Sequence, residues 1–203
     1  MEKLSLFDLR FELYEPAEMD YILEFEEEIR NTEGMEDFQI CQSLKDFYNV
    51  SLGFELSWRY LLSSEGVAPI CGNSNISMLY DLLEPGWIED DDNADVAQTS
   101  YLAIWEQYRI FDLIGDGDHI DLKFHRDREE PRLYYFSEER NNYYLMSVGF
   151  CEYFELLLET RALSPWQRFF ICDNEFILEE DRKAKFISDL KTLFPTVNTS
   201  RFV

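Results

Sequence analysis

The sequence lacks the residue combinations that most often carry enzymatic or metal chemistry. It has only two histidines, His119 and His125, and contains no phosphate-loop, dinucleotide-binding, nucleophile-elbow or zinc-protease motif. Its four cysteines are separated by 30, 80 and 21 residues, which suits neither a zinc site nor a redox pair. We therefore expect a protein that is not an enzyme and holds no cofactor, with reduced and mostly buried cysteines.

Positive charge is also scarce. The chain has 42 acidic against 18 basic residues, a formal net charge of −24. Such a surface repels nucleic acid and anionic membranes and attracts a basic protein. Residues 1–38 alone hold 13 acids and 3 bases, which predicts an acidic face in place of uniformly spread charge.

Long apolar runs are missing as well. No segment approaches 18 uncharged apolar residues and the first residues do not resemble a signal peptide, so the expected location is the cytoplasm. The 203 residues, 46% of them hydrophobic, are enough to bury about 70% of the unfolded surface in one domain. The sequence leaves the oligomeric state open.

Hydrophobic periodicity predicts an α+β fold. Alternation is typical of strands over 6–14, 108–114, 118–124 and 132–137. Helical spacing predicts three helices in the first part of the chain: from Pro16 to before Gly34, over 40–48, and from Phe54 to a stop at Gly66. It predicts three more in the second part: over 97–106, after an N-terminal cap at Ser147, and along the apolar stripe from Phe186 to Phe194. Residues 66–76 are predicted to form a loop because they are rich in turn formers.

The stretch FDLIGDGDHIDLKF (111–124) is the strongest local candidate for chemistry. Its carboxylates Asp116, Asp118 and Asp121 could serve a hydrolase or bind calcium, but no register satisfies the EF-hand pattern. Glycines at 115 and 117 suit the positive φ angles of a tight turn. We therefore favour a β-hairpin over a metal or catalytic loop.

Residues 84–95 form an acidic stretch with six carboxylates and no base. Trp87 lies within it, so the stretch combines an aromatic anchor with a charged rim, as interface hot spots do. A solvated loop whose Trp87 folds back onto the core explains the same pattern. The candidate partner-binding residues are Trp87, Glu89, Asp90, Asp91 and Asp92, with Asp116 and Asp118 as a second choice.

The order of several segments resembles the SUKH superfamily, the Smi/Knr-type domain. SLKDFYNVSLGFELSWRYLLSSEGV (43–67) resembles its aromatic helix and stop, and IFDLIGDGDHIDLKF (110–124) its hairpin. RLYYF (132–136) is similar to the next strand and SVGFCEYFELLLE (147–159) to its closing helix. The resemblance covers about 43–161, leaving a strand–helix extension at 1–38 and a helical extension at 173–195.

The resemblance implies a single α+β domain with a twisted, mainly antiparallel sheet flanked by helices. It also implies a non-enzymatic protein-binding module, because many members resemble immunity proteins that neutralise nuclease or deaminase toxins. Others resemble intracellular regulators of cell-wall glucan synthesis. An acidic immunity protein bound to a basic cognate toxin is our leading hypothesis, and a regulatory scaffold is the alternative.

Overall fold

The computed structural model contains a seven-stranded antiparallel sheet in which each strand pairs with its sequence neighbours. It describes residues 6–31, 35–61, 68–83, 108–115, 117–124, 130–173, 176 and 178–202, without the side chains of residues 6 and 7. The strands are β1 (Leu6–Leu13), β2 (Phe54–Leu61), β3 (Ile70–Ile76), β4 (Arg109–Gly115), β5 (Asp118–Lys123), β6 (Arg132–Ser137) and β7 (Asn142–Leu145). The predicted α+β class is confirmed.

Four α-helices are present in the described part of the chain. They are α1 (Met19–Arg30), α2 (Gln42–Val50), α3 (Phe150–Thr160) and α4 (Glu180–Leu193). Phe111 of β4 lies 5.4 Å from the Phe150 ring of α3, and Phe47 of α2 stacks on Phe154 at 4.7 Å. Aromatic contacts therefore hold α3 against one face of the sheet and α2 against α3.

The segment predicted as an N-terminal extension belongs to this same domain. β1 pairs with β2 along its whole length, from Leu6 opposite Leu61 to Leu13 opposite Phe54. In α1, Phe25 and Ile29 are buried in the hydrophobic core. The predictions of a strand over 6–14 and of a following helix are both confirmed.

The prediction for residues 54–76 was wrong. Phe54–Leu61 is strand β2, not an aromatic helix, and Ile70–Ile76 is strand β3, not a loop. In β2 the alternation of Phe54, Leu56 and Trp58 points these side chains to one face, and this arrangement prevails over their partial helical spacing. In β3 the small residues between Ile70 and Ile76 are turn formers that lie instead in a central strand.

The second half of the sheet follows the prediction more closely. Strands β4, β5 and β6 occupy the predicted positions, and β7 is an additional short strand. Helix α3 begins after Gly149, so Ser147 is not its cap; the Ser147 hydroxyl instead donates to the Phe170 carbonyl at 3.2 Å. Helix α4 lies where the Phe186 stripe predicts it. The helix predicted over 97–106 lies outside the described residues.

The cysteine prediction was half right. All four thiols are free, but only Cys41 is buried, while Cys71, Cys151 and Cys172 are exposed. The apolar patterns around Trp58, Trp105 and Trp166 predict that all three are core residues, and Trp58 and Trp166 are buried. Trp105 lies outside the described residues.

Candidate functional site

The glycine- and aspartate-rich stretch forms the β4–β5 hairpin, as predicted. Gly115 has φ = 95° and Gly117 has φ = 76°, the left-handed geometry that glycine adopts without strain. Asp116 lies outside the described residues. The turn chemistry alone therefore explains why both glycines are present.

Asp118 is bound within the fold. Its carboxylate accepts hydrogen bonds from the Tyr135 hydroxyl, from Arg168 Nη2 at 2.6 Å and from the Glu138 amide at 3.0 Å. Arg168 belongs to a short 3-10 helix at Trp166–Phe170, so this carboxylate ties the hairpin to the C-terminal part of the chain. A role for Asp118 in partner binding stays a prediction.

Asp112 is fully buried on the face that meets α3. The Tyr153 hydroxyl donates to it at 2.5 Å, the Ser74 hydroxyl at 3.0 Å and the Asn75 amide at 2.8 Å. Burial raises the pKa of this carboxyl to about 6, and the three donors oppose that rise. The arrangement stabilises a carboxylate inside the core and leaves it no access to solvent.

Asp121 is fully buried on the opposite face of the sheet. Burial raises the pKa of its carboxyl to about 7, partly opposed by the nearby Tyr143 hydroxyl. His119 Nε2 lies 3.6 Å from its Oδ1, and burial lowers the pKa of that imidazole. Among the described residues no donor meets either Asp121 oxygen in full hydrogen-bond geometry.

These carboxylates do not form a joint catalytic or metal site. Asp112 lies opposite Ile120 in the sheet, so Asp121 projects from the other face. Asp118 lies on the side of Tyr135 and Arg168, away from Asp121. The described residues also contain no group of three or more histidine, cysteine or acidic side chains placed to hold a metal ion. Among the described residues, Asp112, Asp118 and Asp121 are therefore not gathered into one cluster.

Helix α1 carries an acidic surface, which we call the α1 face. Asp20, Glu24, Glu27 and Glu28 are all exposed on it. Beside them, at four-residue spacing, Met19 and Leu23 are 52% and 49% exposed. Apolar periodicity predicts one buried side of this helix that contains Met19, Ile22, Leu23, Phe25 and Ile29; of these five, Ile22, Phe25 and Ile29 are buried, whereas Met19 and Leu23 are exposed.

A second exposed surface lies where β1 and β2 meet α2, α3 and Phe194. It is an apolar groove of about 410 Å³. Leu9, Phe11 and Leu13 line it from β1 and are 56%, 59% and 54% exposed. Exposed contiguous apolar surface of this kind marks interaction sites in soluble proteins. The alternation of β1 predicted a buried face here, so sequence reasoning identified the stripe but not its exposure.

The sequence-predicted acidic loop cannot be placed beside these surfaces. Trp87, Glu89, Asp90, Asp91 and Asp92 lie outside the described residues. Their role as a binding site stays a prediction. The α1 face has the same two features, acidic residues and exposed apolar side chains, and it lies on a helix that the structure describes.

Comparisons with known proteins give no family for the chain. No family model, no curated protein and no solved structure matches it. Within the described residues, no helix is both long enough and apolar enough to cross a membrane.

Proposed function

We propose that this protein is a non-enzymatic binding module of the immunity type, which neutralises a cognate toxin in the cytoplasm by covering its basic surface. The observation that carries the proposal is the α1 face, where Asp20, Glu24, Glu27 and Glu28 lie beside the exposed Met19 and Leu23. Desolvated apolar anchors contribute affinity at interfaces, and the charges around them contribute specificity and association rate.

The charge of the whole chain supports the same proposal. A net charge of −24 attracts a basic groove such as that of a nuclease or deaminase toxin. Complementary charge raises association rates by roughly 10- to 10³-fold and loses this effect as salt rises. Because Phe54–Leu61 is a strand and not the family's aromatic helix, the resemblance to SUKH immunity proteins that supports this mechanism is limited to residues 110–159.

Calorimetry with the toxin encoded beside this gene tests the proposal. We expect the triple variant D20N/E27Q/E28Q to bind more weakly and with a shallower salt dependence, and Leu23→Ser to bind more weakly with the salt dependence unchanged. The matched control E179Q/E180Q/D181N removes the same charge from the start of α4 and should change affinity far less. Equal effects of the two triple variants would mean that net charge alone, and not the α1 face, determines binding.

The sequence-predicted loop supplies a second variant for the same measurement. Trp87→Ala combined with D90N/D91N/D92N should weaken binding if that loop contributes to the interface. Unchanged affinity and salt dependence would remove Trp87 and its acidic neighbours from the proposed surface. That result would leave the α1 face unaffected.

A regulatory scaffold is the second candidate function. It is favoured by the presence of two different exposed surfaces, the acidic α1 face and the apolar groove at β1, which could bind different partners. A genomic neighbourhood without a secreted multidomain toxin would support it. Failure to bind or inhibit an adjacent toxin would support it too.

A further inference from the structure

Strand β1 is an unusually open sheet edge. Among the strands that the structure describes, it pairs with β2 alone, and every residue from Asp8 to Leu13 is exposed. It contains neither proline nor glycine and has no bulge in its pairing with β2. Natural proteins usually protect such an edge, because its free amides and carbonyls bind another strand.

The hydrogen bonds of β1 show which backbone groups face outward. The Tyr14 amide donates to the Gly53 carbonyl at 3.1 Å, toward β2. Since backbone groups alternate sides along an antiparallel strand, Asp8, Arg10 and Glu12 also bond toward β2. The amides and carbonyls of Leu9 and Phe11 therefore point to the free edge.

The opposite edge of the sheet is short and partly covered. β7 has four residues, Asn142–Leu145. The Cys172 amide donates to the Leu145 carbonyl at 2.8 Å, and Met146 forms a bridge with Ile171. In the part of the chain that the structure describes, β1 is therefore the one long edge that another strand could extend.

The sequence of β1 is complementary to itself. In an antiparallel pair centred on Leu9, each Leu9 faces the other copy's Leu9, Asp8 faces Arg10, and Phe11 faces position 7. Two opposite-charge pairs then lie on one face of the joined sheet. Within one chain Arg10 lies opposite Ser57, so β2 places no acid directly across from it.

Other registers fit less well. A pair centred on Arg10 would oppose Arg10 with Arg10 and Asp8 with Glu12, so every charged pair would be repulsive. A pair centred on Phe11 would match Arg10 with Glu12 but would join fewer residues of the strand. An odd shift would place the apolar side chains of one copy beside the charged ones of the other.

We propose that β1 is a homodimer interface, in which two copies of this chain pair antiparallel about Leu9. The two Leu9 side chains would then lie side by side on the groove face of the joined sheet, each Phe11 would lie opposite position 7 of the other copy, and the two apolar grooves would become neighbours. This inference is independent of the toxin, because it uses β1 and not the α1 face.

Sedimentation of the purified full-length chain over a concentration series tests the proposal. We expect a reversible monomer–dimer equilibrium that shifts toward dimer as salt rises, because salt screens the repulsion between two chains of net charge −24. A monomer throughout a series reaching about 1 mM, above even a weak dissociation constant, would overturn the proposal.

Charge exchange tests the register. Arg10→Asp and Asp8→Arg should each weaken dimerisation by roughly tenfold or more, since each places like charges opposite one another. An equimolar mixture of the two variants should restore association as a heterodimer, because an acidic strand then meets a basic one. A mixture that stays monomeric, with both variants folded by circular dichroism, would refute the register.

Proline substitution provides a test that does not depend on charge. Leu9→Pro removes an amide that faces the free edge and leaves the bonds to β2 in place. Leu9→Ala is its matched control, since it shortens the same side chain and keeps the amide. We expect the proline variant to dimerise much more weakly than the alanine variant; equal dimerisation by the two would contradict strand pairing.

Discussion

Asp112 and Tyr153 form a buried carboxylate–hydroxyl pair that influences the pKa of Asp112. The carboxylate is fully buried, and the Tyr153 hydroxyl is one of three donors that hold it. Burial raises the pKa of this carboxyl and the donors oppose the rise, so that the pKa lies at about 6. Above that pH the native state therefore contains a buried charge that depends on its hydrogen bonds.

Tyr153→Phe should reduce stability by roughly 1–3 kcal/mol at pH about 8, and by less at pH about 5. The sign follows from linkage, because losing the donor raises the folded pKa of Asp112 further and so lowers stability as pH rises through 6. Urea unfolding at the two pH values measures the difference. Tyr48→Phe is the control, since the Tyr48 hydroxyl donates to the Ser77 carbonyl and its loss should not depend on pH.

Asp121→Asn should stabilise the protein at pH about 8. The native carboxyl has its pKa raised to about 7 from 3.8, so the wild type loses stability as pH rises from about 4 to about 7. The asparagine side chain does not ionise, so the variant does not lose stability in this way. We expect its free energy of unfolding to exceed that of the wild type by roughly 1–3 kcal/mol at pH about 8, and by less toward acid pH. Asp37→Asn, at an exposed position, should give no comparable gain in the same denaturation series.

At the scale of elements, the close contact between β2 and β3 depends on a missing side chain. A Cβ at Gly72 would overlap the Trp58 indole, whose Nε1 donates to the Arg161 carbonyl at 2.6 Å. A Cβ at position 72 would displace the Trp58 indole and break its hydrogen bond to the Arg161 carbonyl at the end of α3. The pairing of Trp58 with Gly72 therefore joins sheet and helix.

Gly72→Ala should lower stability by roughly 1–3 kcal/mol, the usual cost of overpacking. Gly149→Ala is the matched control, because the nearest atom to its added Cβ is Glu130 Oε2 at 3.8 Å. Thermal unfolding compares them. A Gly72 variant as stable as the Gly149 variant would show that Trp58 relaxes without loss.

How well the sequence predicts an element depends on how strongly one periodicity dominates. In β1 the alternation of Leu9, Phe11 and Leu13 with charged residues excludes a helix, and the strand was predicted correctly. In β2, Trp58 and Leu61 also fit helical spacing, so local pattern did not decide between the two structures. Long-range pairing with β1 and β3 decides it, and such pairing is not visible in a local window.

The candidate surfaces were only partly predictable for the same reason. The acid excess of residues 1–38 predicted an acidic face, and α1 supplies one. Exposure of Met19, Leu23 and Phe11 depends on which elements pack beside them, which composition does not determine. The internal bonds of Asp118 likewise come from Arg168, fifty residues away.

For the whole molecule, charge is the dominant property. With a net charge of −24, the compact state repels itself, so added sodium chloride should raise the thermal unfolding midpoint. A scan of the midpoint from low to about 0.5 M salt measures this, and the Debye length falls below about 5 Å over that range. A midpoint that falls with salt would mean that local ion pairs outweigh the net repulsion.

The unequal edges of the sheet limit how far assembly can go. Because the β7 side is short and covered by residues 171–172, β1 is the only edge of the described sheet that is open to strand addition. A two-fold contact between identical β1 edges uses up that site on both molecules and leaves nothing to propagate. Assembly through β1 would stop at a closed dimer, so this chain could keep an exposed edge strand without forming filaments.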